Sequence, residues 1–168
     1  MLYINEVSPP IKGSTFLPIL KLCFRWCDTF SLTDIRGKSS VYDSMKNELQ
    51  NALRPYLIRD FHTGKWFAYQ KVKPPLHICL YRTAPEAIDI LCRYYRHLFG
   101  SGFMIPEQNM EDLCFFSENV LILGTLSHHQ LCCVYPPTEG FEKELRAIWS
   151  GWEYLEREKD PINLRHFR

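Results

Sequence analysis

The stretch ENVLILGTLSHHQLCCVYPPTEGFEKELRAIW, residues 118–149, carries in order the signals that decide the fold class. Glu118-Asn119 reads as a turn, and Val120–Leu126 is apolar on both faces, as a strand inside a sheet must be. Leu131–Tyr135 reads as a further strand. Pro136-Pro137 then breaks the extended run and Thr138 opens a helix, with Phe141, Leu145, Ile148, Trp149, Trp152 and Leu155 at spacings of three and four. Just upstream, Leu113–Phe116 completes a set of three strands before that helix.

The same grammar recurs towards the N-terminus. TAPEAIDILCRYYRHLFG, residues 83–100, is the strongest helix signal: Thr83 as cap, Pro85 in the first turn, Gly100 as stop, and a buried face of Ala87, Ile88, Leu91, Tyr94, Tyr95 and Leu98. Before it, Tyr56–Phe61, a turn at His62-Thr63-Gly64, Trp66–Val72, a Pro74-Pro75 break and Leu76–Tyr81 read as three short antiparallel strands. Farther back, Ser39 and Ser40 cap a helix with Tyr42, Met45, Leu49, Ala52 and Leu53 as its apolar stripe, ended by Pro55. Leu20, Leu22, Phe24, Trp26, Phe30 and Leu32 alternate with polar residues, which predicts one long half-buried strand.

The expected fold is therefore a single α+β domain over residues 1–158, with a largely antiparallel sheet of six to seven strands, three helices, and a polar tail over residues 159–168. Cys79, Tyr81 and Leu91 recur as Cys133, Tyr135 and Leu145 at one constant offset, which suggests a duplicated unit of three strands and a helix in halves 39–99 and 111–157. A duplication would favour the seam between halves for ligands or partners.

Composition narrows the function classes. Twenty Lys and Arg against nineteen Asp and Glu leave a net charge of +1, which offers no reason to seek nucleic acid or an anionic membrane. Apolar runs are far shorter than the ~20 residues of a membrane span. The first thirty residues lack a secretory signal, and the seven cysteines are an odd number set mostly in apolar stretches, so the expected compartment is the cytoplasm.

Four constellations could carry chemistry. Arg36-Gly37-Lys38-Ser39-Ser40 has the strand-to-helix context of a phosphate loop, but Leu32 stands where the first glycine is needed. His128, His129, Cys132 and Cys133 are the residue types zinc prefers, yet residues four apart on a strand lie ~13 Å apart, too far to share an ion. A cysteine nucleophile would draw on Cys133 or Cys114, with His129 as base and Glu111 or Asp112 as orienting acid, without a glycine-rich oxyanion turn beside either thiol. Asp28 interrupts an apolar strand face beside Trp26, either where the strand meets solvent or where a partner docks.

The block EDLCFFSENVLILGTLSHHQLCCVYPP, residues 111–137, resembles segments of small cytoplasmic bacterial immunity proteins, which neutralise polymorphic toxins by binding them. The resemblance, spread over residues 56–157, implies an α+β binding module with no cofactor and no catalytic residues. The expected function is thus non-enzymatic protein binding, with a toxin as the partner class and Asp28, Trp26, Glu111, Asp112 and His128 as the contact residues. The alternatives are a small cysteine/histidine enzyme and a structural zinc domain.

Overall fold

Residues 16–26 satisfy two periods at once. Leu20, Leu22, Phe24 and Trp26 alternate, but Phe16, Ile19, Leu20 and Cys23 also fall three and four apart. In the computed structural model, which describes residues 1–5, 11, 13–34, 48–95, 97–99, 110–156 and 160–167, the helical period wins and α1 spans Phe16–Trp26. The strand expected over Leu20–Leu32 is corrected to a helix followed by the shorter strand β2, Thr29–Asp34. The reasons are local: Leu20–Trp26 contains no β-branched residue, and Pro18 sits in the first turn, where its missing N–H costs nothing.

The sheet has eight strands. Besides β2 they are β1 (Leu2–Asn5), β3 (Leu57–Thr63), β4 (Leu76–Arg82), β5 (Met110–Ser117), β6 (Val120–Leu126), β7 (Leu131–Val134) and β8 (Glu153–Tyr154). Their order is β3-β4-β2-β5-β6-β7-β1-β8, and every neighbouring pair is antiparallel. Expectation and structure meet in β3, β4 and the β5–β6–β7 meander, whose first turn sets Glu118 and Asn119 at φ 50° and 73°, the left-handed pair that tight hairpins use. Trp66–Val72 is corrected from a strand to a turn closed by Val72 N–H donating to Gly64 O at 2.9 Å. Trp66 and Phe67 are consecutive and both buried, which a half-exposed strand cannot provide.

Among the described residues four α-helices lie on one face of the sheet: α1, then α2 with residues 48–53 described, α3 (Pro85–Tyr94) and α4 (Glu139–Ile148). Leu49 and Leu53 of α2, Ala87 and Leu91 of α3, and Phe141 and Leu145 of α4 are buried in one core with Phe30, Phe115 and Tyr81 of the sheet. Phe30 stacks on Tyr81 with ring centroids 5.2 Å apart. Thr138 caps α4 as expected, its hydroxyl accepting from Phe141 N at 3.2 Å. Thr83 does not cap α3; its hydroxyl donates to Cys27 O at 2.8 Å instead, and Ala84 takes the cap position. Helix α4 ends at Ile148, before Trp152 and Leu155, the backbone being already extended at Trp149 (φ −155°, ψ 126°). Ser39 and Ser40 fall outside the described residues, as do the other residues of the 36–40 loop.

Among the described residues the opposite face carries a second core without α-helices, with one 3-10 turn at Leu164–His166. Phe61, Trp66, Ile78, Leu80, Phe116 and Leu121 are covered there by the turn after β3 and by the C-terminal segment. Of the tail expected to be polar, Ile162, Leu164 and Phe167 pack against this second core. Leu121 N–H donates to Ile162 O and Leu164 N–H to Asn119 O, both at 2.8 Å, and Leu164 is buried. The repeated Cys-x-Tyr positions fall on different faces: Cys79 and Tyr81 look towards the helices, Cys133 and Tyr135 away from them. The constant offset therefore joins equivalent places only at Leu91 and Leu145, both buried in the helix-side core. Among the described residues no helix is long and apolar enough to cross a membrane.

Candidate functional site

Three of the residues singled out from sequence come together at one end of β5. Strand β2 pairs Ser31 with Cys114 and Thr33 with Glu111, so β5 carries one residue more than its neighbour across that interval. Asp112 takes up the excess in a left-handed conformation, φ 54°. It is fully buried, and its environment satisfies it: Oδ1 accepts from Ser127 N at 2.7 Å, Oδ2 from the Tyr69 hydroxyl at 2.8 Å, and its own N–H donates to Ser127 Oγ at 3.0 Å. The ligand atoms of Glu111, Asp112 and His128 all lie within 4.8 Å of one another. Burial, and then the neighbouring Asp112, push the Glu111 carboxyl up to about 7. Asp112 is raised by burial against the pull of Ser127, Tyr69 and His128. The cluster can hold a proton near neutral pH, and its donor set of two carboxylates and one imidazole is one that divalent metals accept.

The other two contact candidates lie elsewhere. Asp28 sits just before β2, five residues from Thr33 and so ~17 Å along the strand from the level of Glu111. Its carboxylate is spent on the fold, accepting from Thr29 Oγ1 at 2.7 Å and from Glu118 N at 2.8 Å. Trp26 is half-buried with its ring edge-on to Phe141, and its indole N–H is buried without a partner. Asp28 interrupts the apolar pattern because it fastens the β5–β6 turn to β2.

The thiol and zinc constellations do not assemble. Cys114 is fully buried and its thiol is pushed up to about 12 by burial, far from the thiolate a nucleophile needs. Cys132 faces the helix-side core and Cys133 the other, as neighbours on a strand do. His128 and His129 lie in a 3-10 turn, rings 4.5 Å apart and both exposed.

Sequence reading missed a second polar cluster, on the helix side near the β3 edge. Strand β4 places His77 between two acids: Nδ1 is 3.1 Å from Asp34 Oδ2 of β2, and Nε2 is 2.6 Å from Asp60 Oδ2 of β3. Filling both contacts with hydrogen bonds takes one proton more than a neutral imidazole holds. His62 of β3 stacks on His77 at 4.7 Å, and Cys79 Sγ stands 3.9 Å from His77 Nε2. Asp60, His77 and Cys79 line a cavity of about 270 Å³ with Gln50, Asn51 and Arg54. A β3–β4 hairpin would have placed His62 opposite His77, but reading Trp66–Val72 as a strand between them hid that pairing.

The apolar surface left exposed is concentrated at the sheet edges. Five large hydrophobics are exposed among the described residues, and four of them flank the sheet: Leu57 and Ile58 on β3, Tyr154 on β8, and Leu155 just after it. Strand β3 is seven residues long and, among the described residues, pairs on one side only. Comparison with protein-family models, curated proteins and solved structures finds no match to this chain.

Proposed function

We propose that the chain is a non-catalytic protein-binding module that takes an extended strand of its partner onto the open edge of β3. The observation that carries this reading is the pair Leu57 and Ile58, 42% and 53% exposed, on an edge strand that has no strand neighbour on its outer side among the described residues. Edge strands of this length are ordinarily blunted, because they template pairing with another chain. Strand addition would draw affinity from main-chain hydrogen bonds and specificity from side-chain pockets. The partner segment is apolar where it meets Leu57 and Ile58 and polar farther along, where Asp60 and His62 are exposed. A toxin silenced by this contact is the partner class that the resemblance in residues 111–137 implies.

The test is capture from native lysate by wild type, Ile58→Lys and Tyr154→Lys, followed by assay of the retained protein's activity with and without the chain. One protein held by wild type and Tyr154→Lys but lost by Ile58→Lys supports docking on β3, and restored activity on its removal supports neutralisation. Equal retention by Ile58→Lys sinks the reading, because a charge at an exposed position shifts stability by only about 0.5 kcal/mol.

A thiol enzyme is the second reading, favoured by Cys79 beside His77 with Asp34 on the far ring nitrogen. It requires Asp60 to leave Nε2. Alkylation of Cys79 ahead of every other cysteine near neutral pH would favour it.

A further inference from the structure

We propose that Glu111, Asp112 and His128 bind one divalent ion of the zinc type, through one oxygen from each acid and one imidazole nitrogen, with a further position open to water. The three ligand atoms lie within 4.8 Å of one another, and donors ~2.1 Å from a tetrahedral zinc stand ~3.4 Å apart, so the side chains close by ~1.4 Å at most. Asp112 is set for this before an ion arrives. Ser127 N–H and the Tyr69 hydroxyl each take one lone pair, on different oxygens, and each oxygen keeps another. Outer partners of this kind orient carboxylate ligands. Asp112 is fully buried and Glu111 half-buried, whereas His128 is exposed on its 3-10 turn, so an ion enters from the His128 side.

Charge identifies the ligand. With a neutral imidazole the three donors carry two negative charges, and among the described residues no Lys or Arg forms an ion pair with any of them. A divalent cation cancels that charge where two crowded carboxylates otherwise oppose each other. The imidazole turns the choice away from Mg²⁺ and Ca²⁺, which take oxygen ligands, towards zinc and its neighbours. A separate observation concerns Thr33, which stands directly opposite Glu111 in the ladder and so on the same face. Thr33 is fully buried and its Oγ1 has no hydrogen-bond partner among the described residues; the Glu111 carboxylate across from it accepts no hydrogen bond among them either. A Glu111 that gives one oxygen to an ion can turn the other to Thr33 Oγ1, which satisfies donor and carboxylate together.

The test is calorimetric titration of the full chain with Zn²⁺ after dialysis against EDTA. Wild type should bind one ion per chain, undisturbed by millimolar Mg²⁺. Glu111→Gln and His128→Ala should each weaken zinc at least tenfold and Thr33→Val about tenfold, whereas His129→Ala should bind as wild type does. In wild type the His128 ring resonances should move on loading while those of His77 stay, a readout that needs no variant to fold. Cobalt in place of zinc should absorb in the visible without the charge-transfer band that a cysteine ligand brings. Absence of stoichiometric zinc, full affinity in Glu111→Gln or His128→Ala, unmoved His128 resonances or a thiolate band overturns the site. Full affinity in Thr33→Val overturns the role given to Thr33. Ile58→Lys should load zinc normally, so this site and docking on β3 fail separately.

Discussion

Replacing Glu111 by Gln should make the protein's stability less sensitive to pH, in a direction fixed by the structure. Burial and the adjacent Asp112 raise the Glu111 carboxyl from 4.5 to about 7. A raised carboxyl binds its proton more tightly in the folded chain, so its stabilising contribution is full below about pH 4.5 and is lost as pH climbs through 7. The shift corresponds to about 3 kcal/mol at ~1.4 kcal/mol per unit, and partial exposure of Glu111 to solvent reduces this to about 1–2 kcal/mol. Gln resembles the protonated carboxyl and stays neutral. The variant should therefore differ little from wild type at pH 5 and be more stable by about 1–2 kcal/mol at pH 8. Urea unfolding of both proteins at pH 5, 6, 7 and 8 reads this difference directly, and Asp112 is present in both. A stability difference that stays flat from pH 5 to 8 would show that Glu111 is not held against Asp112 in the manner described.

Gly124→Ala should cost about 1–3 kcal/mol in urea unfolding, because its Cβ meets the base of the Phe67 ring, and the cost should shrink in a Phe67→Leu background. Arg59→Met keeps the stem but deletes hydrogen bonds to Leu164 O and Phe167 O, so trypsin should cut at Arg165 about tenfold faster. Thr138→Ala should lower stability by about 1 kcal/mol through loss of the α4 cap, with unchanged pH dependence. In mass-spectrometric mapping of iodoacetamide labelling, Cys92 should react first, since it is the exposed cysteine, although burial and Asp89 raise its thiol; the six buried ones should lag at least tenfold.

What the sequence disclosed depends on how cleanly each segment states one period. The segments around Val120–Leu126, Leu131–Val134 and Glu139–Ile148 each state one period between strong breaks, and fold as read except that the helix stops short of Trp152 and Leu155. Residues 16–26 state two, and local composition decides for the helix, which packing against α3 and α4 then holds. Strands β1 and β8, at four and two residues, are too short to display alternation, and β1 earns its place by covering β7. Ile162, Leu164 and Phe167 are too widely spaced to look like a packed segment, yet backbone bonds to the β5–β6 hairpin hold them down. Asp34, Asp60 and His77 were illegible as a cluster because they come from three strands whose neighbourhood is fixed by the order β3-β4-β2, not by proximity in the chain.

Two sites described above lie where the sheet's ladder slips by a residue, and the slip explains both their composition and their concealment. On a regular strand, neighbours point to opposite faces, so Glu111 and Asp112 should never share a site. The extra residue on β5 and the left-handed backbone at Asp112 bring their carboxylates within 4.8 Å of each other and of His128. On β3 the ladder shifts between Leu57 and Arg59, and both Leu57 and Ile58 emerge into solvent instead of alternating. Bulges re-aim side chains at little cost to the rest of a sheet, because pairing resumes one residue later. Beyond the slip, β3 regains its register with β4 from Arg59 to Thr63, which keeps Asp60 on His77 while the strand's first turn of side chains faces outward. A period-based reading assigns these positions to faces as though the ladder were unbroken, so it misplaces the residues that the bulges displace. Those displaced residues are the acid pair of one site and the exposed apolar pair of the other.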